Sequence, residues 1–354
     1  MDGSEDARRA AAADSMKKST KETYDKIEKA IGSLKDLYLF GKVDKDLDDL
    51  SQIEDEGMKD FVLNNKHACL EYLQNLEYLA EHLEDDFEYE GCSSESFEVF
   101  RALVDEKKAQ IDECISFGEG AKCSTCLEAI PGFIGHGSYG YAFEFKHDGE
   151  SRVLKMHYRV AEMGPYMFPM YNSDDNGLET SVLESMADST GSICAMKRAE
   201  DIEGVVKMHA FSVSDQAIVM DMARGESADR VAKTQGEAPL RNIIKGLIGI
   251  ILETYKKGVC PDRGLDNTFY SSDGIEVIDV HIAEDFLEYQ DDPKSFAYNE
   301  IAGLCFSIRN YRKKTGEADM DLRDPKEELL DIIKEYYPDL HPEINAVIDS
   351  VYNV

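Results

Sequence analysis

Apolar residues in the first third of the chain recur at intervals of three and four. Tyr24, Ile27, Ile31, Leu34 and Leu37 make one stripe, Leu70, Leu73, Leu76, Leu79 and Leu83 a second, and Phe97, Phe100, Leu103, Val104, Ile111 and Ile115 a third. That period puts each set on one face of a helix. Three or four amphipathic helices with acidic outer faces are therefore expected over residues 19–118, packed as a small bundle. Ser19-x-x-Glu22 offers a capping box ahead of the first. Residues 1–18 are small and charged without periodicity, the composition of a disordered segment. The stripes read first as the core of the bundle itself. The functional alternative is that the bundle binds a partner or braces the unit that follows.

Gly118-Glu119-Gly120-Ala121 has linker character and marks the boundary. Beyond it the pattern changes to alternation, through Phe133-Ile134, Ala142 to Phe145 and Val153 to Met156, with His147-Asp148-Gly149-Glu150 as a hairpin turn. Ile218 to Ala223 and Ile275 to Ile278 read as further strands. Helices are expected at Pro239 to Tyr255, Ser295 to Tyr311, Glu327 to Tyr337 and Pro342 to Val351. Met163 to Tyr171, rich in methionine and aromatics and broken by two prolines, cannot be one regular helix. It reads as a loop folded onto its own lobe, with a docking or self-association surface as the alternative. No internal repeat is visible, and the segregation of strands and helices gives an α+β class.

The formal charge of −33 is spread over the whole length. Nucleic-acid binding is disfavoured, because phosphate contacts need clustered Lys and Arg. The charge reads as a solvated surface, with attraction of a basic partner as the alternative. No apolar run approaches the roughly 20 residues that span a bilayer, and Met1 to Asp6 has no signal-peptide shape. These features lead us to expect a cytoplasmic protein. Eight irregularly spaced cysteines fit reduced thiols in that compartment. Cys123-x-x-Cys126 is a lone pair without the second pair a zinc site needs.

Four short patterns carry chemistry. Gly135-His136-Gly137-Ser138-Tyr139-Gly140 lies between alternating segments, so it suits a strand-turn-strand ribbon whose glycines let backbone N–H groups approach phosphates. A dinucleotide fingerprint would instead open a helix. Lys155, in Val-Leu-Lys on the next strand, can present a cation to phosphates. Asp262 and Asn267 are five positions apart, and Asp279 ends the strand that follows the Ser271 to Gly274 turn. Oxygen ligands in that order can orient a hydroxyl and hold a divalent metal.

In this order and spacing the chain resembles the protein-kinase-like superfamily over residues 131–354. The resemblance implies a bilobal fold, with a small lobe at 131–223 and a large lobe at 224–354, preceded by the all-α segment. It also implies ATP and Mg²⁺ as cofactors, with Mn²⁺ a substitute. Gly135, Gly137, Ser138 and Gly140 match the phosphate-covering loop, Lys155 the strand lysine and Asp262 the catalytic Asp. Asn267 and Asp279 match the metal ligands, and Met220 and Met222 the segment that meets adenine. For the helix glutamate that pairs with the lysine, Glu179 and Glu184 both stand open. Glu179 is preferred because Leu183 follows it by four residues.

Departures narrow the implied function. Pro261 stands where the family has the arginine that binds an activation-loop phosphate, Gly264 where it has a lysine, and Asp279-Val280-His281 replaces Asp-Phe-Gly. No Ala-Pro-Glu appears, and the segment after Asp279 is short. The chain thus looks closer to stripped-down bacterial effector kinases, which work in a host cytosol, and to small-molecule phosphotransferases. A Ser/Thr protein substrate comes first. A lipid or small-molecule acceptor, AMP transfer, and a pseudokinase gated by nucleotide are the alternatives. Activation, if required, is expected from a bound partner or ligand.

Overall fold

A computed structural model describes residues 26–27, 29–82, 94–117, 124–136, 140–157, 175–235, 237–262, 264–282, 293–314 and 324–352. The expected capping box at Ser19, the linker at Gly118 and the Met163 to Tyr171 segment lie outside these residues. The described chain is mixed α+β with antiparallel sheets. It divides into two compact units, Met1–Ile193 with His209–Met220, and Cys194–Met208 with Asp221–Val354.

The first unit holds both the N-terminal helices and a five-stranded sheet of order β1-β2-β3-β5-β4. Its strands are β1 Phe133–His136, β2 Gly140–His147, β3 Glu150–His157, β4 Met208–Ser212 and β5 Ala217–Asp221. The β2–β3 hairpin turns at Asp148 and Gly149, whose φ values of 51° and 82° are the paired positive dihedrals of a tight two-residue turn. That turn fixes the register, with Phe143 opposite Leu154 and Tyr141 opposite Met156. These four side chains are buried in one core with Phe100, Val104 and Ile111 of the long helix α4, Ser94–Phe117. At the edge of this core the Lys107 ammonium donates to the Pro131 carbonyl at 3.0 Å and lies 5.6 Å from the Phe143 ring centroid. Lys108 pairs with Asp215.

The remaining N-terminal helices are α1 (29–39), α2 (Glu56–Asn64) and α3 (Lys66–His82). Asp55 caps α2 by accepting from the Met58 N–H at 3.2 Å. The expected stripes are its buried side: Ile27, Ile31, Leu34, Leu73 and Leu76 share one core. After the short α5 (Ser124–Leu127) and strands β1 to β3, α6 (Asp175–Arg198) contributes Leu183, Met186 and Ala187 to that same core.

The second unit is built on α8 (Glu237–Thr254), which follows α7 (Ala228–Gln235). Leu240, Ile243, Ile244, Leu247 and Ile251 bury its apolar face. Gly258, at φ 71°, ends this segment by turning left-handed, a conformation that glycine adopts without cost. The chain then runs into β7 Val259–Pro261, β8 Thr268–Ser271, β9 Gly274–Val277 and β10 Val280–Ile282. With β6 Glu226–Ser227 they make a three-stranded sheet, β6-β8-β9, and a β10-β7 pair. Helices α9 (Pro293–Lys314), α10 (Pro325–Tyr336) and α11 (His341–Tyr352) complete it. Asp324 caps α10 on the Lys326 N–H, with Pro325 at the first helical position. Among the described residues, no helix is long and apolar enough to cross a membrane.

Because Leu154 is fully buried between sheet and α4, Leu154→Ala should cost about 2–5 kcal/mol. Val153→Ala, on the other face of β3, should cost under about 1 kcal/mol. Urea unfolding of the two variants checks this, and equal midpoints would contradict the assigned face.

Candidate functional site

The second unit brings three of the expected residues together through its backbone. β7 and β10 pair antiparallel, with Pro261 opposite Val280. One step further the Asp262 N–H donates to the Asp279 carbonyl at 2.9 Å. Across the loop the Ile278 N–H donates to the Asn267 carbonyl at 3.1 Å, which holds Asn267 beside the residue that precedes Asp279. Within the loop, Asp262 Oδ1 accepts the Gly264 N–H at 2.8 Å, and Asp262 Oδ2 accepts from Asn267 Nδ2 at 2.7 Å. An ionised carboxylate only accepts, so this bond sets the amide orientation and turns Asn267 Oδ1 away as an acceptor. Asp262, Asn267 and Asp279 are all half-buried. Their oxygen donors suit a hard divalent cation such as Mg²⁺.

Gly264 sits against this group. A Cβ there would meet Asp266 Oδ1 at 2.6 Å and Asp262 Oδ1 at 3.3 Å. Asp266, which no sequence pattern singles out, has its carboxylate in that space. Two short strands were also missed, β7 and β10, each of three residues. Runs that short carry no readable alternation. Cys260 is buried on β7 and its thiol donates to Glu300 Oε2 of α9 at 3.3 Å.

In the first unit Gly135 lies in β1 opposite Ala142, and Gly140 opens β2 opposite His157. Gly137 and Ser138 fall outside the described residues. The two described glycines differ in kind. A Cβ at Gly140 would meet the Met156 carbonyl oxygen at 2.1 Å, whereas among the described residues nothing lies within 4 Å of one at Gly135. Lys155 stands half-buried on β3 opposite Ala142, on the sheet face away from Leu154 and Met156. Glu179 lies in α6, and its side chain is outside the described set; Glu184 is exposed on the same helix. Met220 is buried on β5, and Met222 follows it half-buried.

His157 also went unnoticed in the sequence. It shares the Lys155 face of β3, is 6 % exposed, and its Nε2 has no hydrogen-bond partner among the described residues. Burial, followed by the Lys155 charge, pushes its pKa down to about 3. An isolated histidine on a strand gives no pattern from which burial can be read. The expectation of reduced thiols throughout needs a correction: Cys126 is disulfide-bonded. Burial pushes the thiols of Cys69 and Cys194 up to about 12. Asp44, Asp46 and Asp48 form a partly exposed acidic group, in which Asp44 accepts the Asp48 and Asp49 N–H groups at 3.0 and 2.6 Å.

No protein-family profile matches the chain, and no curated protein matches it.

Two outcomes follow from these geometries. Gly140→Ala should destabilise by about 1–3 kcal/mol, because backbone must move, while Gly135→Ala should change stability by less than about 0.5 kcal/mol. Similar urea midpoints for the two would contradict the difference. For His157, the folded pKa of about 3 lies below the ordinary 6.5. Between those values the unfolded chain binds a proton that the native state refuses, so stability is full above about pH 6.5 and falls as pH drops toward 3. At pH 5 the loss attributable to this group is about 2 kcal/mol. His157→Leu should therefore lose less stability than wild type between pH 7 and 5 in matched urea titrations. Parallel losses would show that His157 titrates normally.

Proposed function

We propose that this protein is an ATP- and Mg²⁺-dependent phosphotransferase of protein-kinase-like bilobal fold, acting first on a Ser or Thr hydroxyl of a protein substrate. The observation that supports it most is the joining of Asp262, Asn267 and Asp279 by the Asp262 N–H to Asp279 carbonyl bond and the Asn267 to Asp262 side-chain bond. In this reading Asn267 Oδ1 and Asp279 hold the metal, which when bound neutralises charge on the transferring phosphates. Asp262 orients the acceptor hydroxyl and takes its proton as the hydroxyl oxygen bonds to the γ-phosphorus. The bond from that phosphorus to the β-phosphate oxygen breaks, and ADP leaves.

Gly135, Gly137, Ser138, Gly140 and Lys155 serve the nucleotide phosphates, Glu179 steadies Lys155, and Met220 and Met222 serve adenine. Catalysis of this kind is positioning and electrostatics, with no covalent work for the protein.

A second reading, a nucleotide-gated binding protein without turnover, has one specific observation in its favour. Both oxygens of Asp262 already accept hydrogen bonds inside the loop. Incubation with γ-labelled and, separately, α-labelled ATP with protein and lipid acceptors separates the readings. Label from γ alone means phosphoryl transfer, label from α means AMP transfer, and neither favours the binding protein. Asp279→Asn should reduce transfer at least about 100-fold, by analogy with the cost of losing one charge-stabilising group, while leaving the unfolding free energy from urea titration within about 0.5 kcal/mol of wild type. Unchanged turnover would remove Asp279 from the mechanism.

A further inference from the structure

Helix α6 is poorly suited to stand alone. Its interior holds Gly177 and Gly191 with Thr180, Ser181, Ser185, Ser189, Thr190 and Ser192, residues of weak helix propensity. Ser189 and Thr190 both bond back to the Met186 carbonyl, at 3.1 and 2.7 Å, which loosens and bends a helix. A helix of this composition takes its order from tertiary packing. Leu183, Met186 and Ala187, one face of α6, lie in a single buried core with Ile31, Leu34, Leu73 and Leu76 of α1 and α3. One turn further, Asn75 Nδ2 of α3 lies 3.5 Å from where a Cβ would stand on Gly191. Glu179 precedes Leu183 by one helical turn on this same helix.

We propose that α1 to α3 act as a built-in clamp that sets the position of α6 and, through it, the affinity for nucleotide; the second half rests on the phosphotransferase reading. Any ligand or partner that shifts the N-terminal helices then shifts α6.

The full chain carrying Leu73→Ala tests this, with the milder Ile31→Val used if the first does not fold and Leu73→Met as the conservative rescue. Thiol reactivity of Cys69, buried in the same core, reports whether that core has opened, since only exposed thiolate reacts. Amide hydrogen exchange of peptides within 183–193 reports on α6, and Mg-ATP titration reports on the site. We expect Cys69 to become reactive, α6 exchange to quicken by about tenfold or more, and the Kd for Mg-ATP to rise about fivefold with kcat at saturation kept. Leu73→Met should restore all three. An α6 that stays protected while Cys69 reacts overturns the clamp. An α6 that loosens while Mg-ATP affinity is unchanged overturns the coupling. If wild type binds no Mg-ATP, the phosphotransferase reading fails by itself and the exchange result alone decides the clamp.

Discussion

The alternation of side chains along β2 and β3 is the constraint on which the first unit depends. Because successive residues point to opposite faces, placing Tyr141, Phe143, Leu154 and Met156 against α4 forces Gly140, Ala142, Lys155 and His157 onto the other face. A slip of one residue would bury Lys155 and expose Leu154. The positive dihedrals at Asp148 and Gly149 prevent that slip by fixing the hairpin at its tip. The facing of Lys155 is thus a consequence of hydrophobic burial on the reverse side of the sheet, and α4 supplies that burial.

The same economy links the N-terminal helices to α6. Helices α1 to α3 are amphipathic, and none can bury its stripe alone. Their shared core admits Leu183, Met186 and Ala187, so a helix rich in glycine, serine and threonine is ordered by residues distant in sequence. Helices and sheet belong to one compact unit. Removing the N-terminal helices would therefore expose the apolar faces of α6 and of β2 and β3 together.

Much of this was legible in the residues. The 3.6-residue stripes at Ile27, Leu73 and Phe100 located the N-terminal helices, because each buried face repeats over several turns. The alternation around Phe143 and Leu154 located the hairpin, and Asp148-Gly149 its turn. A shared location for Asp262 and Asp279 was implied by the resemblance to the protein-kinase-like superfamily, but the cause of their proximity was not. β7 and β10 are three residues each, too short for a period to emerge, and their pairing is a long-range event. Asp266 and His157 escaped for a different reason. One became notable only through the space above Gly264, the other only through burial, and neither property is encoded in a local pattern. The disulfide state of Cys126 likewise depends on geometry that composition does not carry.

In the second unit the loop from Asp262 to Asn267 is closed on itself by its own hydrogen bonds, then fastened to Asp279 through the backbone. Such closure fixes donor positions before any ligand arrives, as preorganised electrostatic sites require. A crystal structure of the full chain with Mg²⁺ and a non-hydrolysable ATP analogue tests the assignment most directly. Asn267 Oδ1 and an Asp279 carboxylate oxygen should both lie about 2.0–2.1 Å from a bound magnesium ion that also touches the phosphates. A nucleotide bound elsewhere, or a metal held without these two residues, would contradict it.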